Sequence, residues 1–166
     1  MTREARRCAR PLALAAALVA TLFAPGDQAQ SRRGVSRERI NPGTLAAPAG
    51  YAQVVAVRGG KLVFVSGQVA TDEKGTPVGK GDLKAQTIKA FENVRSALLG
   101  AGAGLGDIVK ITTFVVNYRA DMLPTLRGVR SAFLGDVVVP ASTLVGVQAL
   151  ARPEYLVEIE VIAVVE

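Results

Sequence analysis

The sequence of 166 residues contains no histidine and no tryptophan, and Cys8 is its only cysteine. Because histidine and cysteine supply the ligands of ordinary zinc and haem sites, their scarcity predicts a protein without a metal ion or another cofactor. A single thiol cannot form a disulfide within the chain, so the fold must be held by its hydrophobic core or by oligomerisation.

The chain also lacks an apolar run long enough to span a bilayer comfortably. Residues 11–24 are an apolar stretch of 14 residues that follows four arginines, a pattern typical of a secretory signal peptide. We therefore predict a signal peptide at residues 1–29, export to the periplasm, and no stable membrane association after cleavage. Two alternatives stay open: an uncleaved anchor, and a wrongly assigned start that would leave the protein in the cytoplasm.

Positive charge is in modest excess. Removing residues 1–29 takes away four arginines and two acidic residues, so the formal net charge falls from +6 to +4. The basic residues form no stripe interleaved with aromatic residues, and we expect no nucleic-acid partner. Residues 30–46 are polar and are predicted to be a mobile leader. Residues 47–166 have the length of one domain.

Within this domain, hydrophobic periodicity and turn residues predict strands and helices in the order β-β-α-β-α-β-β. Gly59-Gly60 indicates a hairpin between the first two strands. Asp82 and Asp121 are predicted to cap the two helices, which end at Gly100 and Gly135. This order predicts an α/β (α+β) fold with one mixed sheet and both helices on one face. The predicted strands are residues 51–58, 61–68, 107–118, 143–149 and 155–165.

The last predicted strand places two carboxylates in an apolar setting. Strand side chains alternate between faces, so Glu158 and Glu160 share one face with Ile162 and Val164. Like charges on a half-buried face are unfavourable unless cations, donors or water meet them. Since the helices cover the opposite face, we expect the glutamate face to form a subunit interface of a homo-oligomer.

Three segments together resemble the RidA/YjgF family of reactive-intermediate deaminases. They are SGQVATD at residues 66–72, AQTIKAFENVRSALLGAGAGLGDIVKITTFVVN at residues 85–117, and the closing PAS…LVEIEVIAV. The resemblance implies a chorismate-mutase-like fold and a homotrimer with clefts between subunits. It also implies that a small-molecule substrate binds there. In the best-known branch, that substrate is an enamine or imine hydrolysed to a 2-keto acid and ammonia.

The same resemblance implies the site residues. Glu158 matches the glutamate that orients the attacking water, and Tyr51, Ser66 and Gly67 match residues that line the cleft. Ser142 stands where the deaminating branch has an arginine that grips the substrate carboxylate, and we expect Ser142 beside Glu158 on the open face. We expect Arg127, or Arg130 one turn further along the same helix, to be the substitute cation.

Two classes of function remain open on this basis. In the first, the protein is an imine or enamine hydrolase whose specificity is altered because Ser142 replaces the arginine, and its substrate is less anionic than 2-aminoacrylate. In the second, it is a non-catalytic trimeric module that binds small molecules or acts as a chaperone. A different hydrolysis, of amide or carbamate-like substrates, is a further alternative to the first class.

Overall fold

The computed structural model of the protein describes residues 34–135 and 139–166. The predicted signal peptide at residues 1–29 lies outside this part of the chain. The described residues form six strands and two α-helices, which confirms the predicted fold class. In chain order these are β1 (Ser36–Ile40), β2 (Val54–Arg58), β3 (Lys61–Gln68), α1 (Leu83–Gly100), β4 (Ile108–Val116), α2 (Leu123–Leu134), β5 (Ala141–Val147) and β6 (Val157–Val165). In this described part, neither helix is both long and apolar enough to cross a membrane.

The main sheet has four strands in the order β3-β6-β4-β5. Strands β4 and β5 run parallel, whereas β6 is antiparallel to both of its neighbours, so the sheet is mixed. Helices α1 and α2 pack against each other and against one face of this sheet. The opposite face has no helix on it in the described chain.

The core lies between the helices and the sheet, as the alternation in β6 predicts. Val157, Ile159 and Val161 are almost completely buried, while the intervening Glu158 is only half-buried and Glu160 is exposed. The rings of Phe91 in α1 and Phe133 in α2 stack with centroids 5.2 Å apart and join the two helices.

One of the two predicted helix caps is wrong. The carboxylate of Asp82 accepts a hydrogen bond of 3.0 Å from the backbone N–H of Ala85, which confirms the first cap. Asp121 instead lies in a 3₁₀ turn and forms an ion pair with Arg119. Helix α2 begins two residues later because Pro124, whose φ is already helical, occupies its first turn.

The N-terminal strands also differ from the prediction. Gly59 and Gly60 both have positive φ, as a two-residue turn requires, but β2 pairs with β1 while β3 pairs with β6. The predicted hairpin between these two strands is therefore wrong. Residues 36–40 of the predicted mobile leader are therefore a strand. Arg37 anchors this strand, because its guanidinium donates to the carboxylate of Asp107 at 2.8 Å and to the carbonyl of Val164.

Candidate functional site

A cleft of about 220 Å³ opens between the two helices and the helix-facing side of β4 and β5. The loop before β2 closes one end, where the backbone N–H of Ala52 donates to the carbonyl of Pro140 at 3.0 Å. This contact brings the preceding loop residues beside the start of β5. The cleft has an apolar wall of Phe91, Leu123, Leu126 and Leu144 and a polar wall of Tyr51, Arg127, Arg130 and Ser142.

Arg130 is the central polar residue of this cleft. One guanidinium nitrogen, Nη1, donates to the hydroxyl of Ser142 at 3.1 Å, and Nη2 donates to the carbonyl of Gly50 at 2.8 Å. Burial lowers the pKa of Arg130 from its ordinary value, and the positive charge of Arg127 lowers it further. Because arginine stays protonated in proteins, the cleft contains a fixed, partly desolvated cation.

Ser142 lies on the helix-facing side of the sheet, which corrects the expectation that it lies beside Glu158. In the parallel β4–β5 ladder, Ser142 is paired with Ile111, and Ile111 is fully buried in the core. Glu158 is paired with Phe114, three residues further along β4 and therefore on the opposite face. The serine thus faces Arg130 within its own chain, while the glutamate faces away from both.

Glu158 lies against Gly67 on the open side of the sheet. The register of β3 against β6 shifts between Val65 and Gln68, so Gly67 belongs to a β-bulge. A Cβ atom at position 67 would lie 1.7 Å from Oε1 of Glu158. Only glycine therefore allows the carboxylate to occupy this position, and the neighbouring Ser66 is exposed at the same edge.

This contact predicts the effect of Gly67→Ala. The new methyl group would displace the Glu158 carboxylate and the adjoining Cγ atom, so we expect a loss of stability of about 1–3 kcal/mol. If Glu158 orients the attacking water, as the RidA/YjgF resemblance implies, its displacement should lower turnover by about 10²-fold. Thermal unfolding and steady-state kinetics measure the two effects. Full turnover in the folded variant would show that Glu158 does not act from this position.

The predicted site residues thus form two groups on opposite sides of the sheet. Tyr51, Ser142 and Arg127 meet in the cleft, whereas Ser66, Gly67 and Glu158 meet at the bulge. Arg130, which donates to Ser142, is only the alternative to Arg127 in the prediction of the substitute cation from the sequence. Its signal in the sequence was the spacing of three residues, which puts both arginines on one side of a helix. The described residues bring no three potential His, Cys, Asp or Glu ligands together for a metal ion.

The chain is similar to proteins of a known family. A family model described as Endoribonuclease L-PSP matches residues 43–165. The RutC family protein YjgH of Escherichia coli is 36% identical over 108 residues, which cover 65% of this chain and 79% of that protein. The 2-iminobutanoate/2-iminopropanoate deaminase of Salmonella typhimurium is 36% identical over 107 residues, which cover 63% of this chain and 80% of that protein.

A solved structure agrees with the fold. The Rid family protein YyfB from Yersinia pestis superposes with a TM-score of 0.73 at 37% identity, covering 78% of this chain and 98% of that one. The described sheet and helices accordingly have the chorismate-mutase-like fold. The family match covers most of the chain, and relatives above 30% identity extend over about four fifths of their own length. The chain therefore belongs to the Endoribonuclease L-PSP family, also known as the RidA/YjgF family.

Proposed function

We propose that the protein is a deaminase-type hydrolase that converts a small imine or enamine into a 2-keto acid and ammonia. The observation that carries this proposal is the guanidinium of Arg130, held against the hydroxyl of Ser142. The RidA/YjgF resemblance places a carboxylate-binding arginine at position 142. Here the strand supplies a serine, and helix α2 supplies the cation to the same place.

The size of the cleft supports a small substrate. Its volume of about 220 Å³ is below the range of roughly 300–1,000 Å³ that is typical of pockets for drug-sized ligands. An imino acid of four carbons is smaller than such ligands, whereas a nucleotide is much larger. The cleft therefore favours an imino acid over the RNA substrate that the family description suggests.

The chemistry requires three tasks of the protein. Arg130 binds the carboxylate of the substrate and orients the C=N bond. Glu158 accepts a proton from a water molecule as that water adds to the imine carbon. Glu158 passes this proton to the nitrogen, which gives a carbinolamine. The proton of the new hydroxyl group then moves to the nitrogen as the C–N bond breaks and the C=O bond forms, and ammonia leaves the 2-keto acid. Because the cation comes from a helix instead of strand β5, the substrate is held differently, and we expect altered specificity.

The two groups of site residues can meet only if another subunit completes the cleft. We propose a homotrimer in which the Glu158 side of one subunit faces the Arg130 cleft of its neighbour. The open sheet face supports this assembly, because Leu62 and Phe64 expose 58% and 71% of their surface there. Large apolar side chains on a sheet face indicate a surface that another subunit covers.

The substitution Phe64→Asp tests this interface. An aspartate at an apolar subunit contact would be buried without a partner, so we expect the trimer to dissociate. Leu99→Asp is a matched control, because Leu99 is 66% exposed at the end of α1, away from the sheet face. Light scattering at micromolar concentration should give a monomer mass for the first variant and a trimer mass for the second. If Phe64→Asp remains a trimer, the subunit interface does not lie on this face of the sheet.

The activity itself is tested by ammonia release from freshly generated 2-iminobutanoate. We expect the protein to accelerate hydrolysis well above the uncatalysed reaction. The competing proposal is a non-catalytic binding module, and the position of Glu158 outside the cleft of its own chain favours it. A stable trimer that binds 2-oxobutanoate, the keto acid product, but leaves the rate of ammonia release unchanged would establish that module instead.

A further inference from the structure

The charges of the cleft point to a more specific ligand than a monocarboxylate. Two arginines line a volume of about 220 Å³, and no Asp or Glu in the described part of the chain lines it with them. Arg130 is partly buried, so water screens its charge only in part. The positive potential of the cleft is therefore uncompensated within the subunit.

The two arginines differ in how they are held. Arg130 donates hydrogen bonds to Ser142 and Gly50, and these two contacts hold it inside the cleft. Arg127 is exposed, and among the described residues it makes no hydrogen bond or ion pair. Both lie on one side of α2, separated by about one helical turn. One cation is thus fixed inside the cleft and a second, with all its donors free, stands at its mouth.

We infer that the cleft selects small dicarboxylates, with Arg130 binding the inner carboxylate and Arg127 the outer one. The inference rests on the proposed function, and it names the imines of acidic amino acids as the substrate class. It replaces the expectation of a less anionic substrate, which considered Ser142 without the two helix arginines. The carbon chain of such a ligand would lie along the apolar wall at Leu123 and Leu144.

Succinate and butyrate test this inference, because both are stable, have four carbons, and differ in the second carboxylate. Titration calorimetry at low ionic strength should show that the protein binds succinate at least tenfold more tightly than butyrate. Arg127→Gln should reduce that ratio to about threefold or less, because only the outer contact is lost. Arg130→Gln should weaken both ligands by at least tenfold. Arg58→Gln, at an exposed arginine of β2, should leave the ratio unchanged.

The outcomes separate this inference from the proposed function. Equal affinities for succinate and butyrate, or no binding of either at millimolar concentration, would overturn the dicarboxylate inference. Hydrolysis of 2-iminobutanoate could still be rapid in that case, and the proposed function would stand. Preferential binding of succinate without hydrolysis of either the aspartate imine or 2-iminobutanoate would have the opposite meaning. The cleft would then be a dicarboxylate site, and the deaminase proposal would fail.

Discussion

Replacing Glu158 by Gln is expected to lower kcat by about 10²- to 10⁴-fold while ligand binding persists. The amide has nearly the same shape as the carboxylate but cannot accept the proton of the attacking water, and a lost general base has effects of this size. Arg130 is held by hydrogen bonds to Ser142 and to the carbonyl of Gly50, so we expect its guanidinium to stay in place when Glu158 loses its charge. Steady-state ammonia release and titration with 2-oxobutanoate measure the two properties separately.

Glu160→Gln is the matched control for this variant. Glu160 is on the same strand and the same face as Glu158, two residues further along β6, and it is paired with Thr112. It is exposed, and the atoms nearest to a Cβ at position 67 belong to Glu158 instead. We expect the kcat of Glu160→Gln to stay within a few-fold of the kcat of the original protein. A similar loss in both variants would mean that the negative charge of this face, and not one general base, supports activity.

Mixing two inactive variants is expected to restore about a quarter of the activity. In a ring of three subunits, each cleft would take Arg130 from one subunit and Glu158 from the next. When Glu158→Gln and Arg130→Gln subunits are coexpressed in equal amounts and combine at random, about one cleft in four receives both native residues. Each variant alone should retain about one per cent or less, so the expected recovery is at least about 25-fold.

A second mixture provides the control. When native subunits combine equally with a double variant carrying both substitutions, a shared cleft predicts about a quarter of full activity. A site contained in one subunit predicts about half instead. No recovery in the first mixture and about half of full activity in the second, with trimers confirmed by mass, would show that Glu158 and Arg130 of neighbouring subunits do not act in one cleft.

Local patterns in the sequence predicted the strands and helices well where the physical signal is strong. The alternation of β6 assigned Val157 and Ile159 to the core, and both are buried. The cap at Asp82 and the stops at Gly100 and Gly135 also agree with the structure. These features depend on periods of two and 3.6 residues and on single hydrogen bonds, which neighbours in the chain determine.

Pairing between distant segments was harder to predict. The expected hairpin at Gly59-Gly60 is absent, because β2 forms its ladder with residues 36–40 instead of with β3. Those residues looked polar and mobile because Arg37 meets Asp107, 70 positions away, only in the folded chain. The side of Ser142 likewise depends on the β4–β5 register, since a shift of one residue would move it to the other face.

The sequence by itself determined which residues are available to form the site. The chain has no histidine, a strand that contains Glu158, a serine at position 142, and two arginines one helical turn apart. The resemblance of three segments was enough to identify the RidA/YjgF family. Only the tertiary structure decided which of these residues meet. In the folded chain, Arg130 donates to Ser142 on the helix-facing side of the sheet, whereas Glu158 lies on the opposite side. Strand register and the packing of α2 against the sheet determine these positions, because they decide where each side chain points.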